Sequence, residues 1–364
     1  MKSFNEVFED KTKYGTKIKT SEYCEMGAHL IIDQGQEQVA GYTDIEEGVF
    51  EEVPVIIFGD HTRVIKYVDK PFFLGADGVK VLRSKFKNAN YKYLYYALKN
   101  ARIPNTGYNR HFKWLKEVQI EYPDYRRQEN VVKILDKVSD LIETRQHEIK
   151  RLEDLIKARF VEMFGEVGTD KFGWGLQKIG DICEINPKKA KESKLHSELK
   201  ISFVPMPAVS EYGNIDATEI KTYEEVKSGF TYFAENDVLF AKITPCMENG
   251  KGCIARGLCN GIGFGSTEFH VIRPTAKTNP YWIYNVTVFK QFRKDAAANM
   301  TGSAGQRRVP AKFLENYKVA LPPIELQTQF ADFVKQVDKS KATVQKALDE
   351  AQLLFDSLMQ AYFG

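Results

Sequence analysis

Two stretches of the chain carry apolar residues at steps of three and four. The first runs Val131, Leu135, Val138, Ile142, Ile149, Leu152, Ile156 and Met163. The second runs Phe330, Val334, Val337, Val344, Leu348, Ala351, Phe355, Leu358 and Tyr362. This is heptad spacing, and it predicts two amphipathic helices, each with a seam for a partner helix. Each stretch begins just after proline, at Pro123 and at Pro322-Pro323, where a missing N–H costs a first helical turn nothing. Each ends at Phe-Gly, Phe164-Gly165 and Phe363-Gly364, and glycine is a natural helix stop. From Gln128 to Phe164 such a helix is roughly 55 Å long. The two stretches are copies at a constant offset of 199, with Pro123/Pro322, Gln128/Gln327, Val138/Val337, Leu155/Leu354 and Phe164/Phe363 among the identical pairs. Arg145 interrupts the first seam where the second has Val344, and Lys341 interrupts the second where the first has Ile142. Seams that fill each other's gaps suit two helices packed together; the alternative is two separate helices, each lying on its own domain.

The intervening segments have a different pattern. Short strand-like runs stand at Val53–Phe58, Gly78–Leu82, Asp237–Phe240 and Glu268–Ile272, with turn residues between them. Each segment also has a Tyr-rich helical stretch, Tyr91–Tyr96 in one and Tyr281–Tyr284 in the other. Gly75–Leu82 resembles Gly265–Ile272, and Thr106-Gly107 precedes its helix much as Thr301-Gly302 does. The expected fold class is therefore α+β: two mixed domains, 1–122 and 166–321, separated by helices at 123–165 and 322–364. If the two helices pack together they form a coiled coil, and the whole is a pseudo-twofold repeat.

Composition narrows the function classes only a little. Apolar residues are 43% and charged residues 28%, which is ordinary for a globular protein. No apolar run approaches the ~18 residues of a membrane span, and the start Met1–Glu6 lacks the apolar stretch of a secretory signal. Cys24, Cys183, Cys246, Cys253 and Cys259 form no Cys-x-x-Cys pair, which points to free thiols in a reducing cytoplasm rather than to zinc. The formal net charge of +3 does not by itself announce a nucleic-acid binder.

Longer motifs carry a resemblance. Asn236–Lys251 (NDVLFAKITPCMENGK), Gly261–Phe269 (GIGFGSTEF), Met300–Pro310 (MTGSAGQRRVP) and Leu321–Gln327 (LPPIELQ) are similar to hallmark stretches of the specificity subunits of type I restriction enzymes. In the first half Ile31–Gln36, Phe58–Arg63 and Gly75–Lys80 match as well. The resemblance covers nearly the whole chain, with its motifs in order. It implies that each globular domain reads one half of a split double-stranded DNA target and that the helices form an antiparallel pair that fixes the spacing between halves. It further implies that the helices seat two methyltransferase subunits, which two restriction subunits can join. S-adenosylmethionine, ATP and Mg would serve those partners, with no cofactor and no metal in this chain.

The sequence holds no catalytic set of its own. Asn186-Pro187-Lys188 is not the Asn/Asp-Pro-Pro-aromatic motif of an adenine methyltransferase, and no phosphate-binding Gly-x-x-x-x-Gly-Lys-Ser/Thr occurs. Gly257, Gly261, Gly263 and Gly265 lack the strand-to-helix order of a nucleotide fingerprint and are expected to form a turn between strands. Duplex reading needs forked donors: Arg for guanine, Asn or Gln for adenine, and Lys or Arg for phosphate. In the first domain the candidates are Gln34, Gln36, His61, Thr62, Arg63, Asn109, Arg110, His111 and Lys113. In the second they are Lys242, Thr244, Lys251, Ser303, Gln306, Arg307 and Arg308. All lie in polar, Gly-flanked loops. Target-specific contacts are also expected in less recognisable segments such as 186–235. The competing class is a structural adaptor, whose helices join partners and whose domains bind protein. Partner subunits would meet outward helix residues such as Lys133, Asp136, Lys137, Glu148 and Lys150.

Overall fold

The computed structural model describes residues 1–75, 77–189, 196–303 and 305–364; Ala76, 190–195 and Ala304, which fall in segments named above, lie outside the described residues. The chain divides into two compact units, Met1–His147 with Gln345–Gly364, and Glu148–Val344. Among the described residues no helix is long and apolar enough to cross a membrane.

In the first unit Val55–Gly59 is buried at every position, as its unbroken apolar run demands. It lies inside a four-stranded antiparallel sheet ordered Phe8–Asp10, Val79–Ser84, Val55–Gly59, Ile65–Val68. A second sheet, Gly41–Thr43, His29–Ile32, Phe72–Leu74, contains one parallel pairing with Leu30 opposite Phe72. Helix Tyr91–Lys99 starts at Asn90, whose side-chain oxygen accepts the Tyr93 N–H at 3.1 Å. Its Tyr96 hydroxyl donates to Asp136 at 2.7 Å, and Lys92 bonds the other Asp136 oxygen at 2.6 Å. Asp136, expected to face outward, instead docks this helix.

The second unit repeats the plan. Its antiparallel sheet runs Cys183–Ile185, Phe269–Pro274, Val238–Ala241, Gly252–Ile254. Its other sheet runs Ile220–Thr222, Lys200–Val204, Ile262–Gly265, Thr231–Ala234 and again holds one parallel pair, Phe203 opposite Phe264. Of the glycines expected to form a turn between strands, Gly261 closes a short turn at Cys259–Gly261, whereas Gly263 and Gly265 lie inside the strand Ile262–Gly265 itself. A side chain at Gly263 would overlap the Phe233 ring, so close packing and not phosphate binding explains that glycine. Helix Pro280–Val288 is capped by Asn279, as Tyr91–Lys99 is by Asn90.

Two 40-residue helices, Tyr125–Phe164 and Ile324–Phe363, follow the two sheet domains. The first begins ahead of Gln128 because the Asp124 carboxylate accepts the Arg127 N–H at 3.0 Å. In the first unit Val131, Leu135 and Val138 share a core with Phe355 and Met359. In the second unit Leu152, Ile156 and Phe160 share one with Phe330, Val334 and Val337. The start of each helix thus packs on the end of the other, which makes the pair antiparallel. Ile142, Ile149, Val344 and Leu348 are half-buried. Lys341, which breaks the apolar pattern, is met by Glu153 of the facing helix at 2.9 Å.

Candidate nucleic-acid interface

Of the sixteen candidates, expected in loops, Lys113 lies on the short helix Phe112–Leu115; most of the others lie on one loop cluster in each unit, and both clusters are built the same way. In the first unit the turn after the central strand is fixed when the Asp60 N–H donates to Gly78 O at 2.7 Å and Asp60 O accepts the His111 N–H at 2.7 Å. In the second unit the Lys242 N–H donates to Glu268 O at 2.9 Å and Lys242 O accepts the Val309 N–H at 2.9 Å. This register equates Asp60 with Lys242, His61 with Ile243 and His111 with Val309. The loop after the parallel strand enters equivalently, since Gly75 N–H donates to Ile32 O and Ser266 N–H to Val204 O. Four loops therefore meet at the same edge of each sheet: 33–38, 59–63, 75–78 and 105–111, and their counterparts at 205–210, 241–247, 265–268 and 301–309.

Several candidates prove to hold these loops together. The Gln34 carboxamide accepts the His61 N–H at 3.1 Å and donates to Asp77 O at 3.0 Å, while the Thr62 hydroxyl donates to Gln34 O at 2.6 Å. The Gln34 carboxamide is thus engaged at both its oxygen and its nitrogen and ties the 59–63 and 75–78 loops together. Arg63 sits at a left-handed φ of 62° and donates to Ile103 O at 3.3 Å, pinning the loop that follows helix Tyr91–Lys99. His111 is a correction: it is 0% exposed, with Nδ1 3.0 Å from Asp60 O and Nε2 at 3.5 Å from the Thr106 N–H. A ring enclosed in this way cannot touch DNA, and its equivalent Val309 is buried too. Arg308 also ties loops together: it grips Glu268 with Nε at 2.9 Å and Nη2 at 2.8 Å, a forked pair that joins the 265–268 and 301–309 loops. That arginine holds the Glu268 carboxyl below its usual range. Thr244 turns inward to the Met300 sulfur, and Lys251 reaches Met206 O at 3.5 Å.

The candidates left facing outward are Gln36, Asn109, Arg110 and Lys113 in the first unit and Ser303, Gln306 and Arg307 in the second. Arg307 makes a loose contact with Glu248 at 3.4 Å, and Lys113 lies 4.1 Å over the Trp114 ring. Thr62 is also exposed, whereas His61 and Lys242 are half-buried.

Other residues of this edge were missed from the sequence. Tyr108 is 88% exposed and stacks on His61, ring centroids 4.7 Å apart and planes within 10°. Arg293 is buried with its Nη atoms donating to Met247 O at 2.8 Å and Gly250 O at 3.1 Å, so it clamps the 242–251 loop from below. Burial pushes that guanidinium down to about 10, which leaves it a cation at neutral pH. A charge signal also stood in the sequence, concealed by the near-neutral total. From Gly78 to Lys116 there are ten Lys and Arg and no Asp or Glu. From Phe269 to Leu314 there are eight Lys and Arg and only Asp295 against them. These segments include the last long strand, the following helix and the outermost loop of each unit.

Comparison with known proteins agrees with this architecture. A profile described as "Type I restriction modification DNA specificity domain" matches residues 1–154 and 172–352. The chain is 40% identical over 199 residues to the EcoAI specificity subunit of Escherichia coli, covering 51% of this chain and 32% of that protein. It is 38% identical over 193 residues to the EcoEI specificity subunit of the same organism, with the same coverage. The match thus spans about a third of the length of these relatives. Among solved structures, the S subunit of a type I restriction-modification system from M. genitalium aligns with 100% of this chain and 95% of its own, at a TM-score of 0.56 and 17% identity. A second structure, from work on assembly and conformational transition of the type I R-M system, aligns over 99% of this chain and 94% of its own with a TM-score of 0.50 and 17% identity. The fold is shared with these structures over nearly the whole chain, and with the profile matched on both halves, this chain belongs to the type I restriction modification DNA specificity domain family.

Proposed function

We propose that this chain is the DNA-reading subunit of a type I restriction–modification system. The observation that carries the reading is the doubled loop cluster, the same four-loop construction in both units, each with its outermost loop in a segment almost free of carboxylates. Cationic segments draw duplex DNA through counterion release, and exposed Arg, Asn and Gln side chains supply the base contacts. Two related readers imply a target in two halves, with domains 1–122 and 166–321 taking one half each. The helices at 123–165 and 322–364 then set the spacing and offer their outer faces to two methyltransferase subunits, with restriction subunits joining that core. S-adenosylmethionine, ATP and Mg belong to those partners, and the chain itself recognises and scaffolds without performing chemistry, in the cytoplasm.

The test is co-expression with the methyltransferase subunit encoded beside it, followed by mapping methylated adenines in the host genome. A single split motif of two short halves at fixed spacing is the expected result. A complex that assembles yet methylates no motif would overturn the reading in favour of a structural adaptor.

A further inference from the structure

Tyr108 is an aromatic residue that the fold does not use. Its ring is almost wholly exposed, yet it is not loose. Beneath it the Gly107 N–H donates to Asn105 Oδ1 at 3.2 Å, Asn109 Nδ2 donates to Thr106 O at 2.5 Å, and Thr106 meets the buried His111. Gly107 takes a left-handed φ of 75°, which turns the next residue outward. One face of the Tyr108 ring is covered by the His61 imidazole, whose backbone is in turn held by Gln34. The opposite face is open, beside Arg110 and Asn109, in the segment that holds no carboxylate from Gly78 to Lys116.

A flat, rigidly presented ring face among cations suits a partner that is planar and carries negative charge. A nucleobase on its phosphate backbone fits both demands where it is unstacked from its duplex neighbours, since a freed base offers a π-face and stacking tolerates any base. Fixed loops also lower the ordering cost that an exposed aromatic would otherwise bring to binding. We propose that Tyr108, backed by His61, is a stacking platform for one nucleobase of the half-target read by the first unit. This rests on the DNA-reading function above and deepens it. In the second unit the shared register places Ile243 where His61 stands, so the imidazole backing belongs to the first unit alone.

The experiment uses the full chain in complex with its methyltransferase subunit, as wild type, Tyr108→Phe and Tyr108→Ala. Each complex is assayed for binding to a duplex carrying the target mapped by genomic methylation, and its own methylated motif is mapped. Tyr108→Ala is expected to weaken binding by roughly tenfold with both halves of the methylated motif unchanged, because stacking does not discriminate one base from another. Tyr108→Phe is expected to behave as wild type, because the ring and not the hydroxyl does the stacking. Unchanged affinity in Tyr108→Ala overturns the proposal. So does a Phe variant as impaired as the Ala variant, or loss of the methyltransferase from Tyr108→Ala on gel filtration, which would place the ring in a protein interface. A wild-type complex that methylates no motif would bring down the DNA-reading function itself, a failure visible before any variant is made.

Discussion

His270 shows how one residue can carry both the fold and a measurable pH dependence. Its Nε2 lies 2.8 Å from Val309 O, to which it donates, and the Asn186 amide lies 3.0 Å from Nδ1 and donates to it. Both ring nitrogens are thus matched to the neutral imidazole, and a second proton would face the Asn186 N–H group. Burial, aided by the Lys242 charge, holds the His270 pKa below its ordinary 6.5 despite the Val309 bond. The unfolded chain therefore takes up the proton first as pH falls, and the stability tied to neutral His270 is lost from about pH 6.5 downward. The second unit is expected to melt at a lower temperature near pH 5.5 than near pH 7.5. In a His270→Gln variant that difference should shrink. Glu268 does not confuse the comparison, because a carboxyl held below 4.5 gives up its stabilisation only under that pH. Asp338, which burial pushes up, works in the opposite direction and is common to both proteins. An equal pH dependence in wild type and variant would show that the ring is protonated without penalty. The same residue marks a limit of sequence reading. Histidine and arginine were candidates for DNA because their chemistry allows it, yet His111 is turned into the loop scaffold and Arg308 joins two of its loops. Only the hydrogen-bond register, with Val309 standing where His111 does, separates the two roles.

At the scale of elements, the long helices were legible because their signal is local and periodic. Leu135 is 0% exposed in the first unit's core, whereas Leu155 and Leu354, an identical pair at the 199 offset, are 47% and 50% exposed. Leu135→Ala should therefore cost about 2–5 kcal/mol. Leu155→Ala and Leu354→Ala should change stability by no more than about 0.5 kcal/mol, read as unfolding midpoints in denaturant. Exposed leucines repeated on both helices are where the proposed methyltransferase subunits would find apolar contact, so charging them as Leu155→Glu and Leu354→Glu should weaken that association and leave the fold intact. Variants that melt early, or that still bind the methyltransferase as wild type, would remove these positions from the partner surface. The strands were legible too, since Val53–Phe58 and Glu268–Ile272 are rich in the apolar residues of central strands. The sheet order was not. A parallel pairing such as His29–Ile32 with Phe72–Leu74 joins residues some forty positions apart, and nothing in either segment alone names its neighbour.

At the scale of the whole molecule, each long helix runs from one compact unit into the other, crossing at His147/Glu148 and at Val344/Gln345. If the helices set the distance between half-targets, their length must be readable in the DNA. Inserting seven residues at both crossings keeps the apolar seams on nearly the same face, because a heptad returns to within about 20° of its starting direction. Those residues add about 10 Å of helix at 1.5 Å each. Duplex DNA advances 3.4 Å per base pair, so the spacer between the half-motifs should lengthen by about three base pairs. Both half-sequences should stay the same, because neither loop cluster is touched. The measurement is the methylated motif of the lengthened protein in complex with its methyltransferase. Insertion into one helix alone should instead leave unequal helix lengths between the core of Val131, Leu135 and Val138 with Phe355 and Met359 and the core of Leu152, Ile156 and Phe160 with Phe330, Val334 and Val337, and lower the melting temperature. A lengthened protein that methylates the original motif with its original spacer would show that something other than the helices fixes the separation. The readers could then keep their sequence preference, while the helices would remain only as the seat of the partners.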